Sequence, residues 1–137
     1  MNHKGLVLVF RTYEALVSFA IAEKLSLEQK FDPAFFNLDV VEKWLSCKRP
    51  AQLDCVAFLN AWNLLADLSE SIGGSFDPDK DKTRKIYSKL FWGNNLPAVT
   101  PAGKHYKPLW PGQESRIIRQ VLRHGLSLLR QQTAPGA

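Results

Sequence analysis

Between Gln52 and Ile72, the residues Cys55, Phe58, Leu59, Trp62, Leu65, Ala66, Ser69 and Ile72 recur at steps of three and four. At about 100° per residue this spacing gathers them on one face of a helix. Gly73-Gly74 follows at once, and glycine most readily takes the left-handed conformation that ends a helix. Most of the stability of such a helix comes from the elements that cover its apolar face, so residues 52–72 predict the central core helix.

The flanking segments supply the cover. From Tyr13, the apolar positions Leu16, Val17, Phe19, Ala20 and Ile21 fit a helix opened by Thr12 and running to about Leu25. Asp32-Pro33 and Asn37 offer two helix starts ahead of Leu38, Val41, Trp44 and Leu45, which predicts one or two short helices over 33–47, broken by Lys48-Arg49-Pro50. The polar run Asp77 to Asp81 can cap a helix over 79–92, with Ile86, Leu90 and Phe91 as its apolar positions. A last helix is expected over 113–131. Gly5 to Phe10 reads either as one buried strand or as the first turns of a longer helix. The length of 137 residues, with 45% apolar and 23% charged, suits one globular domain and argues against a disordered or low-complexity chain. The expected fold is therefore mainly α: a single-domain bundle of four to six helices over 1–132, with an N-terminal strand as an option, and a flexible tail over 133–137.

Residues 93–112 depart from the helical pattern. Pro97, Pro101, Pro108 and Pro111 alternate with Gly93, Gly103 and Gly112, which no helix interior tolerates. The same stretch and its border carry Phe91, Trp92, Leu96, Val99, Tyr106, Leu109 and Trp110, too apolar for disorder. An ordered loop packed on the helices is expected. Aromatic rings beside a Gly-Asn-Asn turn have the composition of recognition surfaces, so Trp92, Asn94, Asn95, Tyr106 and Trp110 are candidate partner-binding residues.

Charge divides the chain. Residues 1–81 hold 8 basic and 12 acidic side chains, whereas 82–137 hold 10 basic and only Glu114 acidic, within a net charge of +5. An imbalance of this kind points to an anionic partner for the C-terminal part. On the last helix Arg119, Arg123 and Arg130 fall within roughly 60° of Arg116, opposite Ile117, Ile118, Val121, Leu122, Leu128 and Leu129. The four arginines form a stripe whose planar guanidinium groups suit carboxylate or phosphate.

Several chemistries find no support. Asp77, Asp79 and Asp81 have the alternate spacing of a calcium loop, but Lys82 stands where such a loop needs glycine and Ser88 where it needs glutamate. Cys47 and Cys55 are too far apart for a zinc or redox pair and are expected as buried, reduced thiols. No metal or cofactor is predicted. Lys4 and the apolar run after it imitate a signal peptide, yet Arg11 and Glu14 interrupt that run, and no stretch approaches the ~20 apolar residues of a membrane span. A cytoplasmic chain is expected.

No nucleophile elbow, phosphate-cradling glycine loop or carboxylate pair is present. The expected function is a non-catalytic protein-binding module, specifically an immunity or inhibitor protein that neutralises a toxin or enzyme by direct contact. Nucleic-acid or phosphate binding through the arginine stripe is the alternative, although no groove-reading or base-stacking motif accompanies it. A metal-free RNase-like enzyme is the second, with His105 and His124 as acid and base, Lys104 stabilising the phosphorane and Tyr106 stacking on a base.

Overall fold

Two helix starts in this chain are set by side-chain oxygens. Thr12 Oγ1 accepts a hydrogen bond from the Ala15 amide at 3.1 Å, and Asp54 Oδ1 accepts from the Ala57 amide at 3.1 Å. Each satisfies an N–H that the first helical turn leaves without a partner. In the computed structural model, which describes residues 7–27, 35–47, 52–74, 76–77 and 80–135, these caps open α1 (Tyr13–Ala22) and α3 (Cys55–Ser71). Between them lies α2 (Leu38–Ser46), and after them come α4 (Lys80–Trp92) and α5 (Gly112–Gln131). Two three-residue strands, β1 (Val7–Val9) and β2 (Thr133–Pro135), pair in parallel with Val7 opposite Thr133 and Val9 opposite Pro135. The chain is a mainly helical single-domain bundle.

Helix ends follow the local chemistry. Beyond α3, the Gly74 amide donates to Ser69 O at 2.8 Å and the Gly73 amide to Glu70 O at 3.1 Å, with Gly73 at φ +72°. This pair of bonds is the left-handed closure that the Gly-Gly pair predicts. The same closure ends α1 earlier than the sequence pattern implies. Lys24 takes φ +55°, and the Leu25 amide reaches back to Ala20 O at 2.7 Å, so the helix stops at Ala22 rather than near Leu25. Asp32-Pro33, Lys48-Arg49-Pro50 and Asp79 lie outside the described residues.

The expectation of a flexible tail needs correction for Thr133–Pro135, which forms β2. The Val7 amide donates to Gln132 O at 2.8 Å, and the Thr133 hydroxyl donates to Leu129 O at 2.7 Å. The pairing joins the two ends of the chain, a long-range contact that no local signal in either segment announces.

α3 is the central element: α2, α4 and α5 each pack on it, and α4 also packs on α5. Val41, Phe58, Leu65, Ile86, Leu90, Ile118 and Leu122, drawn from these four helices, are fully buried. Trp44 of α2 meets Phe58 edge-on at 5.2 Å between ring centroids, an arrangement favoured by the ring quadrupoles. α1 stands apart from this group, with Ala20 as its one buried residue and a ring contact between Phe10 and Phe19 at 5.3 Å.

Gly125 fixes how closely α3 and α5 approach. A Cβ at that position would lie 2.6 Å from Leu65 Cδ1 and 3.1 Å from Phe76 Cδ2. Leu65 is itself fully buried, so its side chain has little room to swing aside. Alanine normally gains ~1 kcal/mol over glycine inside a helix, but overpacking a tight core costs about 1–3 kcal/mol. Gly125→Ala is expected to lower stability by about 1–2 kcal/mol in chemical denaturation, with the slope of the transition unchanged. A gain in stability would show that the helices can part there.

Candidate binding face

The segment from Gly93 to Pro111 is anchored at both ends. Gly93 crosses so close to α3 that a Cβ would stand 2.5 Å from Cys55 Sγ and 3.0 Å from Pro108 Cγ. Asn94 Nδ2 donates to Leu90 O at 2.7 Å and to Cys55 O at 3.3 Å, tying the end of α4 to the start of α3. Asn95 forms a two-way clamp across the loop: its Oδ1 accepts from the Tyr106 amide at 2.6 Å, and its Nδ2 donates to Tyr106 O at 2.8 Å. At the far end, Lys89 Nζ donates to Leu109 O and pairs with Glu114 at 3.0 Å. The same ammonium sits 4.7 Å from the Trp110 ring centroid. Backbone bonds from Val99 and Thr100 to Leu96 O, at 3.1 and 2.9 Å, close a turn between these anchors.

With its asparagine amides bonded inward, the loop presents several apolar side chains outward. Trp92 is 46% exposed, Tyr106 42% and Leu109 81%, and Leu96 and Val99 are also exposed. Packing of the loop on the helices therefore holds for its backbone clamps and for the half-buried Trp110, which lies against the core, but not for these five side chains. Beside them, a concavity of about 420 Å³ is walled by Leu53, Val56, Tyr106, Pro108 and Trp110. Its polar rim includes Asp54, engaged in capping α3, and the exposed Lys107 and His105. From Gly93 to Gln113 the chain has Lys104, His105 and Lys107 and no acidic residue.

Asn94 and Asn95, expected to meet a partner, direct their amides to carbonyls within the chain and serve to position the loop. Leu96, Val99, Leu109 and Val56 were not singled out for recognition by sequence, although three of them sit among the prolines and glycines of the loop. Large apolar residues in a segment that cannot become helix or strand were the available signal.

The arginine stripe meets a different fate. Arg119 lays its guanidinium 4.3 Å from the Trp44 ring centroid, and its two Nη atoms donate to Trp44 O at 3.2 Å, Leu45 O at 2.8 Å and Cys47 O at 3.1 Å. Arg123 Nη2 also reaches Leu45 O, at 2.9 Å. These carbonyls lie at the end of α2, where backbone donors run short and the helix dipole is negative; Trp44 O also accepts from the Cys47 amide at 3.3 Å. Arg130 pairs with Glu42 of α2, a largely exposed contact that contributes little to stability. Only Arg116 keeps clear of α2, its Nε donating weakly to Gly112 O at 3.4 Å. The angular stripe is real, but Arg119 and Arg123 fasten α5 to the end of α2 and Arg130 meets Glu42 on its side.

The remaining candidates do not converge. His105 borders the loop concavity, whereas His124 lines a separate cleft between α4 and α5. The two concavities share no residue, so the imidazoles and Lys104 do not meet as an acid, a base and a cation around one substrate. Cys47 is exposed, contrary to expectation, because it lies just past the end of α2; Cys55 is buried. Burial pushes the Cys55 thiol above its ordinary range, with the Asp54 carboxylate adding to the effect, so it behaves as a small apolar group. Asp77 is buried and accepts a hydrogen bond from the Thr83 hydroxyl, while Asp81 faces Arg84 at 3.5 Å on the surface. Among the described residues no group of three His, Cys, Asp or Glu side chains could hold a metal ion. No helix among them is long and apolar enough to cross a membrane. Comparisons with protein-family models, curated proteins and solved structures returned no match.

Proposed function

We propose that this chain is a non-catalytic protein-binding module that presents the 92–110 loop to its partner, in the manner of an immunity or inhibitor protein that neutralises a toxin or enzyme by direct contact. The observation that carries this reading is the exposure of Tyr106 and Leu109 on a loop held by its own hydrogen bonds, with Trp92 exposed at the end of α4 where the loop begins. A segment already ordered loses little conformational freedom on association, so more of its contact energy appears as affinity. Aromatic side chains dominate such contacts, and the concavity beside Tyr106 can take one inserted side chain.

The partner surface has a definite character. It is apolar at its centre, to cover Leu109 and Tyr106, and acidic at its edge, to face Lys104 and Lys107 across a loop without acidic residues. We assign the module to the cytoplasm, where its two free thiols stay reduced.

A photo-crosslinking residue placed at Leu109, or at Lys85 on the exposed side of α4, tests the reading in the native cell after nuclease treatment. The expected result is one polypeptide bridged through position 109 and not through 85, with the bridged peptide rich in Asp and Glu. The same capture should fall at least tenfold in Tyr106→Ala. Equal capture from both positions, or recovery of nucleic acid alone, would overturn the reading.

A further inference from the structure

On α5, Gln113, Arg116, Gln120 and His124 follow one another at steps of three, four and four residues, which puts them on one face. All four line a cleft of about 720 Å³ between α5 and the first turns of α4. That is the size of a small-molecule site. Lys82 lines the α4 side, already engaged within the chain, and Ile117 and Val121 supply apolar wall. Among the described residues the lining holds one carboxylate, that of Asp77, which is buried and accepts from the Thr83 hydroxyl.

The contrast within the stripe gives the cleft its meaning. Arg119 and Arg123 direct their guanidinium groups to the end of α2. The two Nη atoms of Arg116 and the ring of His124 make no hydrogen bond among the described residues, and both side chains are exposed. Every long polar side chain that α5 sends into the cleft therefore carries at least one N–H donor, and none is acidic. A tetrahedral anion with several acceptor oxygens matches that set, because the arginine fork takes two oxygens and neighbouring donors take the rest.

We propose that the cleft between α4 and α5 binds a small phosphorylated organic molecule, its phosphate held by Arg116 and His124 and its apolar body lying against Ile117. The site is distinct from the loop face and does not depend on it. A nucleic acid is the less favoured ligand, since a polyanion needs a line of free cations, and α5 leaves only Arg116 available from its stripe.

Phenyl phosphate titrated into the whole protein, followed by amide chemical shifts, tests the assignment. Saturable shifts are expected at Gln113, Arg116, Gln120 and His124, with inorganic phosphate binding at least tenfold more weakly for want of the apolar body. Arg116→Gln should weaken phenyl phosphate at least tenfold, while Lys85→Gln, on the exposed side of α4, should leave its affinity unchanged. Shifts that fail to saturate, shifts that persist in Arg116→Gln, or equal affinity for inorganic phosphate would overturn it.

Discussion

Phe58→Ala is expected to lower the stability of this protein by about 3–5 kcal/mol, the range for removing a fully buried aromatic ring. Phe58 has no exposed surface and packs edge-on against Trp44. It lies on the side of α3 that faces α2, so the lost ring leaves a cavity between two helices and removes the aromatic contact as well. For a chain of this length the melting temperature should fall on the order of 10–20 °C. Equilibrium denaturation in urea checks the value, with the midpoint shifted and the slope retained. A loss below about 1 kcal/mol would mean that the α2–α3 contact relaxes to fill the space, contrary to the close packing of an ordinary core.

Arg119→Ala is expected to cost about 2–3 kcal/mol, more than a typical exposed arginine, for which changes stay within about 0.5 kcal/mol. Cys47 O loses its guanidinium donor, Trp44 O is left with the Cys47 amide alone, Leu45 O loses one of its two arginine donors, and the Trp44 ring loses its cation. Arg123 remains on Leu45 O and limits the damage. Arg119→Lys should recover less than half of the loss, because one ammonium cannot span carbonyls that a planar fork reaches at once. Arg116→Ala, by contrast, is expected to leave stability nearly unchanged. Thermal melts of the three variants decide between a fastening role and a free basic stripe: equal, small effects at 116 and 119 would sink the fastening role.

The two surfaces that emerge are chemically different. The loop face is apolar with a basic edge and held by Asn94, Asn95 and Lys89. The α4–α5 cleft is a row of donors beside a small apolar wall. The loop face uses none of the arginines that make the last helix look so basic, and the cleft uses only Arg116.

Local sequence signals located most of the helices and their ends. The three- and four-residue spacing over 52–72 marks the core helix because burial demands one continuous apolar face. Thr12 and Gly73-Gly74 mark boundaries because caps are made within a few residues of themselves, whereas the cap at Asp54 emerged only in the structure. The ordered, proline-rich character of 93–112 is local too, and so is its lack of acid. Three things had to wait for the tertiary structure. The union of Val7–Val9 with Thr133–Pro135 joins the ends of the chain, beyond any periodicity. The sorting of the arginines depended on where the carbonyls of α2 came to rest, since a guanidinium looks the same in sequence whether it meets a partner, a phosphate or its own backbone. The inward turn of the Asn95 amide depended on Tyr106, eleven residues away. Period and capping are properties of neighbours along the chain, whereas the choice between an inward bond and an outward surface is made by residues that only folding brings together.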